Sequence, residues 1–288
     1  MNPVREPHIL VLIFSEQIEE FTTQGFLKGA VVLSHDEVNR LNHELERVLA
    51  HQSEQEPVLT RNLLHASSRF NDALESTHPR DETVIQVVNI WMASAAFFEH
   101  VHNPRICEEV AQLTKTDTLR VWHDQIQYKP PKIGGPTYWH QDYPAWPVLQ
   151  PADLVSAWVA LDDAVIDNGC MWMVPQSHRW GDVAPYLKTN DATYTRYLTD
   201  PTVVHQGFAM RPVPFEIQKG QVGYHHCLMW HGAYPNRSDR KRRAIAVHYM
   251  PGHIRYVPTG GHVMEPFIHV APGEILHGDA FPVVCSNG

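Results

Sequence analysis

Trp139-His140-Gln141-Asp142 sets an imidazole and a carboxylate two positions apart. On an extended backbone two such residues project to one face, and together they can ligate a borderline divalent metal. With 20 histidines in 288 residues, His-x-Asp pairs also arise by chance, so the pair needs a third ligand. The distal half offers one. Gln221–Trp230 reads as a strand with His231 at its end, and eleven residues on, Arg242 opens a second apolar run, Ala244-Ile245-Ala246-Val247-His248-Tyr249. Two histidines and one carboxylate on one side of a metal form a facial triad that leaves three adjacent positions open, the pattern of non-haem Fe(II) chemistry. An arginine nearby would anchor an anionic co-substrate, because its planar fork holds a carboxylate through two bonds.

Neighbouring residues carry open alternatives. On a continuous strand His225, Cys227, Met229 and His231 share a face, so His225 either approaches the metal or is simply packed. His248 shares the face of Arg242 and is open in the same way. His178 reads as the end of a loop with a hydrogen-bonding role. Arg243 points opposite to Arg242, and periodicity alone does not say which of them faces inward. Lys129 either binds an anion or shapes the loop that begins at Pro130-Pro131. Trp139 and the run Tyr143-Pro144-Ala145-Trp146-Pro147 place aromatic surface beside the ligands. That suits a flat or apolar substrate, or a cation over a ring, and equally suits a mouth that keeps water out.

The elements that must position these residues fall into two parts. Ile9–Phe14 is six apolar residues, too short for a signal-peptide core or a membrane span, and reads as a buried extended piece. Ser34 followed by Glu37 is a capping-box pattern, after which Val38, Leu41, Leu45, Val48 and Leu49 recur at helical spacing. A second helical region is expected over Asp81–Leu113, broken at Asn103-Pro104. The character changes near Thr118: all ten tyrosines and seven of the eight tryptophans follow position 120. Short strands are expected at Thr118–Tyr128, Ser156–Leu161, Cys170–Val174, Gly207–Arg211, Gln221–Trp230 and Ala244–Met250, with a turn at Asn168-Gly169. The pattern predicts an antiparallel sandwich or barrel packed against N-terminal helices, in one domain without internal repeats.

Composition narrows the function. A chain that is 43% hydrophobic and 19% charged is globular. Its net charge of −9 argues against a nucleic-acid partner, which needs a clustered basic surface. Cys107, Cys170, Cys227 and Cys285 are widely spaced and form no CxxC pair. They suit neither a zinc knuckle nor a disulfide framework, which points to a reducing, cytoplasmic setting.

Beyond these readings the sequence resembles the phytanoyl-CoA dioxygenase-like family of Fe(II)/2-oxoglutarate oxygenases, including its ectoine hydroxylase branch. The likeness spans roughly Phe21–Pro251. It rests on Phe26-Leu27 and the Ser34 helix, Tyr128-Lys129-Pro130, Tyr138 through Asp142, Asn168-Gly169-Cys170 through His178, and His231 through Asn236-Arg237-Ser238 to Arg242-Arg243-Ala244. The resemblance implies a mainly β chain with flanking helices, folded as a double-stranded β-helix (a jelly-roll, cupin-like barrel). Residues 1–117 would be helical support, 118–251 the barrel and 252–288 a C-terminal extension. It implies iron held by His140, Asp142 and His231, with Arg242 on the distal carboxylate of 2-oxoglutarate. Trp158, Gln127, Thr137 and Gln141 would line the co-substrate site, and Trp146, Tyr143 and Gln125 the substrate side. Gln125 stands where the ectoine branch places a substrate-binding arginine, which argues against ectoine itself.

The function implied is an Fe(II)-, 2-oxoglutarate- and O2-dependent dioxygenase. It would hydroxylate an unactivated C–H bond of a small or medium organic metabolite, releasing succinate and CO2. Asp142 favours hydroxylation over halogenation, since related halogenases carry a small residue at that position. Two alternatives remain. Ala233, where relatives often have serine, and Gln176-Ser177-His178, which lacks the usual glycine, would fit a non-catalytic cupin-like metal-binding or sensor module. The same cofactors would also serve an epimerase, a desaturase or ring formation. A small-molecule partner is expected, with no membrane association, and the oligomeric state is not legible.

Overall fold

The computed structural model describes residues 13–51, 84–183 and 211–286, with the backbone of two short strands at 204–205 and 208–209. Helix α1 (Ser15–Gln24) leads into strand β1 (Phe26–Val31) and helix α2 (His35–Ala50). Strand β2 (Ile85–Val88) precedes three helices, α3 (Ile90–Ala93), α4 (Ala95–Val101) and α5 (Pro104–Thr114). The strands β3 (Thr118–Lys129), β4 (Thr137–His140), β5 (Leu149–Gln150), β6 (Val155–Ala160) and β7 (Met171–Met173) follow. After β8 (Val204–His205) and β9 (Phe208–Ala209) come β10 (Val213–Phe215), β11 (Gln221–His226), β12 (His231–Ala233), β13 (Arg242–Pro251), β14 (Arg255–Tyr256) and β15 (Val283–Ser286).

Two antiparallel sheets face each other as a jelly roll. The larger runs β1-β11-β6-β13-β3-β15 with β2 also on β3, and the smaller runs β10-β7-β12-β4. Period-two alternation on β13 shows how each face is used. Ile245, Val247 and Tyr249 pack with Val38, Leu41, Leu45, Phe97 and Val110 of the helices. Ala244 and Ala246 instead meet Trp158, Met171, Met173 and Phe215 in the interior between the sheets. The co-substrate contacts were expected on this inward face.

Several elements match the sequence reading. Helix α2 carries the capping box: Glu37 N donates to Ser34 Oγ at 3.3 Å and Ser34 N to Glu37 Oε2 at 2.7 Å. Asn103 caps α5, its Oδ1 accepting from the amides of Arg105 and Ile106, with Pro104 in the first turn where no amide is needed. Other expectations need correction. Ile85–Val88 is a strand on β3, not the start of a helix. A short apolar run carries no periodicity that separates strand from helix, and the partner strand decides. The extended reading of Ile9–Phe14 lies mostly outside the described residues, although Ile13 is buried in the core. Of the strand expected over Gly207–Arg211, Phe208–Ala209 is a strand; positions 207 and 210 lie outside the described residues. Gly169 does turn the chain at φ 82°, but β6 and β7 lie in different sheets, so the turn is a crossing and not a hairpin. β1, β2 and β15 lie in the parts expected to be helical support or extension, yet they join the larger sheet.

One glycine on β11 faces the interior. A Cβ built on Gly223 would lie 2.2 Å from the buried Phe215 ring. Gly223→Ala is therefore expected to destabilise the protein by about 1–3 kcal/mol through overpacking, read as a lower midpoint in urea.

His100 on α4 sets a pH limit. It is buried with neither ring nitrogen hydrogen-bonded among the described residues, and burial depresses its pKa to about 4. The unfolded chain takes up this proton near the ordinary value of about 6.5. The contribution is whole above pH ~6.5 and is lost as pH falls toward 4, by on the order of 3 kcal/mol. In His100→Leu the fall in urea midpoint between pH 7 and pH 5 should be shallower; an equally steep fall would contradict this.

Candidate active site

His140 ends β4 and His231 begins β12, and the two are direct cross-strand neighbours in the smaller sheet, with ring centroids 4.2 Å apart. Each imidazole is oriented from behind. His140 Nδ1 lies 2.7 Å from the Tyr138 carbonyl and His231 Nδ1 lies 2.9 Å from that of Met229. A carbonyl only accepts, so both Nδ1 atoms carry a proton and each Nε2 is the nitrogen left for a metal.

Asp142 follows β4 in a helical backbone conformation at φ −70°, ψ −45°. The strand alternation expected to align it with His140 has therefore ended, and a turn brings it round instead. Its Oδ1 lies 3.5 Å from His140 Nε2 and 3.7 Å from His231 Nε2. One ligand atom from each of the three residues falls within 4.8 Å of the others, and among the described residues no other His/Cys/Asp/Glu group does this. Burial acts to raise the Asp142 carboxyl, but His231, His140 and His225 around it hold it well below the carboxylate range. Burial and the nearby His140 hold His231 well below the usual imidazole value. Burial acts to lower His140, but the Asp142 carboxylate beside it raises its pKa overall. His231 thus offers a lone pair outright, while a cation at His140 would compete with a proton shared toward Asp142.

The other oxygen, Oδ2, lies 3.1 Å from His225 Nε2 and 3.1 Å from Ser156 Oγ. Gln221–Trp230 was expected as one strand carrying His225 and His231 on one face. The strand ends at His226, residues 227–230 turn, and β12 begins in the other sheet. His225 and His231 approach across the sandwich, with centroids 4.7 Å apart. His248 Nδ1 lies 2.7 Å from Ser156 Oγ, and its ring packs edge-on to Trp146 and His123 at 4.7 and 4.6 Å.

On the larger sheet Arg242 is buried and Arg243 turns outward to Asp162, with contacts of 2.8 Å. Among the described residues the only hydrogen bond of the Arg242 guanidinium runs from Nη1 to the Gln127 carbonyl at 3.3 Å, and its Nε has no partner. Burial lowers its pKa to about 10, so it stays charged at neutral pH. The guanidinium lies 5.6 Å from the Trp158 ring, and Trp158 Nε1 donates to Gln127 Oε1 at 3.0 Å. A buried cation lacking a partner is costly. This is the mark of a site shaped for an anion.

The sequence profile described as phytanoyl-CoA dioxygenase (PhyH) matches residues 21–244, more than half of the chain. The chain belongs to the phytanoyl-CoA dioxygenase family. It is a dioxygenase. Peroxisomal phytanoyl-CoA dioxygenase of Bos taurus is 24% identical over 269 residues, covering 91% of this chain and 74% of that protein. Among solved structures, the non-heme alpha ketoglutarate dependent carbocyclase SnoK from nogalamycin biosynthesis superposes with a TM-score of 0.70 at 25% identity, covering 94% of this chain and 96% of that one. EctD from S. alaskensis, solved with 2-oxoglutarate and 5-hydroxyectoine, has a TM-score of 0.64 at 20% identity, covering 89% and 84%.

The side chains of this phytanoyl-CoA dioxygenase family member fit iron and 2-oxoglutarate. The carboxylate and two imidazoles suit iron, and the Arg242 guanidinium, whose Nε has no partner among the described residues, suits the far carboxylate of 2-oxoglutarate. Thr137 pairs with Ala233 while His140 pairs with His231, three residues opposite two, so a one-residue irregularity places Thr137 on the ligand face. Gln141, expected among the co-substrate contacts, is instead held by backbone: Nε2 donates to Gly181 and Leu228 carbonyls, and Oε1 accepts from Val183 N. It sits between His140 and Asp142, whose side chains point inward, so its own side chain points away. Lys129 is a loop anchor, donating to the carbonyls of Gly135 and Tyr234 at 2.7 Å. Trp146 is buried against His248, Tyr143 donates through its hydroxyl to the Leu149 carbonyl, and Gln125 follows His123 on the inward face of β3. Ser156 and His123 were missed. Ser156 lies two positions before Trp158 on β6, so period-two alternation from that residue could have found it.

Proposed function

We propose that this dioxygenase hydroxylates an unactivated C–H bond of a small or medium-sized organic metabolite, with release of succinate and CO2. The observation that carries the reading is the convergence of His140 Nε2, Asp142 Oδ1 and His231 Nε2, on the same interior as a buried arginine whose Nε is unpaired. In this reading His140, Asp142 and His231 hold iron, and Arg242 pairs with the distal carboxylate of 2-oxoglutarate beside Trp158, Gln127 and Thr137. Bound iron with 2-oxoglutarate and O2 supplies the oxidising chemistry.

The protein's own part is placement and exclusion of water. Arg242, on the inward face of β13 with Ala244 and Ala246, fixes the far end of the co-substrate so that one orientation is presented to the ligands. Trp146, His123 and His248 form a ring-lined wall beyond Ser156. Burial depresses His248 to about 4 and holds His123 well below the ordinary imidazole value, so that wall is uncharged at neutral pH. It suits an uncharged, partly apolar substrate, and Gln125 offers an amide where a cationic side chain would bind an acid. The non-catalytic alternative is set aside by family membership, and Ala233 removes no ligand.

Metabolite extracts supplied with Fe(II), 2-oxoglutarate and O2 should contain a compound that stimulates succinate formation and gains one oxygen atom by mass spectrometry. Ring formation, which the SnoK likeness favours as the second reading, would lose two hydrogens, and epimerisation would leave the mass unchanged. Anaerobic addition of Fe(II) and 2-oxoglutarate should give a visible charge-transfer band; its absence would refute the cofactor assignment.

A further inference from the structure

Asp142 is gripped from across the sandwich. Its Oδ1 faces the two ligand imidazoles, while Oδ2 contacts His225 Nε2 and Ser156 Oγ at 3.1 Å each. Those two residues stand opposite each other on β11 and β6, inner strands of the larger sheet, and both are buried. A carboxylate that can rotate will bind a metal through one oxygen or through two. The second mode would fill one of the positions a facial triad leaves open.

We infer that Ser156 and His225 form a clamp that commits Asp142 Oδ2 to hydrogen bonds and keeps this carboxylate a one-oxygen ligand. The inference rests on the metal-site reading above and makes both residues positioning residues. Proton accounting supports it. An ionised carboxylate only accepts, so the Ser156 hydroxyl and His225 Nε2–H both donate to it. The single Ser156 proton is thereby committed, so the 2.7 Å contact with His248 requires the proton on His248 Nδ1. Among the described residues His225 Nδ1 is buried without a partner, and a bare nitrogen there avoids an unpaired N–H donor. The hydrogen bonds all run toward the carboxylate: His248 to Ser156 to Asp142, and His225 to Asp142. Trp146 and His123 hold the His248 ring at the head of that chain.

Co(II) titration of the metal-free protein tests this, because cobalt reports both affinity and ligand geometry in its visible d–d absorption. Ser156→Ala and His225→Phe should each weaken Co(II) binding by about 10–100-fold and alter the absorption envelope. His225→Gln, which returns an amide N–H near the Nε2 position, should recover most of both. Unchanged affinity and spectra in Ser156→Ala and His225→Phe would overturn the clamp, as would a His225→Gln protein no better than His225→Phe. Melting curves of the metal-free variants identify any that fail to fold, and the two His225 variants then decide the matter without Ser156→Ala. A wild-type protein that takes up no Co(II), or an Asp142→Ala protein that binds it equally well, refutes the metal-site reading itself.

Discussion

Asp142→Ala is expected to reduce succinate formation from 2-oxoglutarate by more than about a hundredfold, equal to about 3 kcal/mol at the barrier. The change removes the only carboxylate of the candidate triad and leaves two imidazoles in the smaller sheet. It also strips the acceptor from His225 Nε2 and Ser156 Oγ, both buried, at a cost of about 1–3 kcal/mol per unpaired group. Asp142→Asn tests the chemistry with less loss of volume. An amide offers one oxygen, so either the metal or the pair of donors loses its acceptor, and the amide N–H₂ then opposes another donor. Its activity should fall nearly as far. Succinate formation at the wild-type rate in Asp142→Ala, assayed with saturating Fe(II), would refute the triad.

Arg242→Met should raise the KM for 2-oxoglutarate by the worth of a buried charge pair, about 2–5 kcal/mol, or roughly thirtyfold to several thousandfold. Methionine keeps much of the volume and removes the charge. Without co-substrate the variant should melt no lower than the wild type. Removing a desolvated cation whose Nε has no partner relieves a cost that only the bound anion otherwise offsets. The comparison is decisive when 2-oxoglutarate is added at about a hundred times its Kd. The wild type then gains about 2.7 kcal/mol and the variant less than about 1 kcal/mol. Arg242→Lys should recover only part, because an ammonium lacks the two-pronged geometry. A variant with unchanged KM would remove Arg242 from the co-substrate site.

Much of this centre is legible in the chain because its parts are coded locally. The His-x-Asp spacing, the eleven residues from His231 to Arg242 and the strict alternation along Arg242–Met250 are short-range patterns, and each survives in the structure. What is not legible depends on where the chain crosses between sheets. His225 and His231 meet because the strand stops at His226 and the chain turns, although alternation through Trp230 pointed to the same pair. Asp142 reaches the site through a turn. Gln141 sits between two ligands, yet it is drawn away by the carbonyls of Gly181 and Leu228. The strand at Ile85–Val88 exists because β3 is there to pair with it, a long-range fact that no local window contains.

The two sheets contribute unequally to the metal's surroundings, and this has a mechanical consequence. His140 and His231 belong to the smaller sheet, whereas the residues gripping Asp142 belong to the larger. An ion held at the proposed site through Asp142 Oδ1 would act as a rivet through the sandwich, loading β6 and β11 although neither strand contributes to the candidate triad. Separation of the sheets and escape of the ion would become one event. Amide hydrogen exchange on those two strands should slow when the site is filled, recording at a distance how firmly the jelly roll is closed.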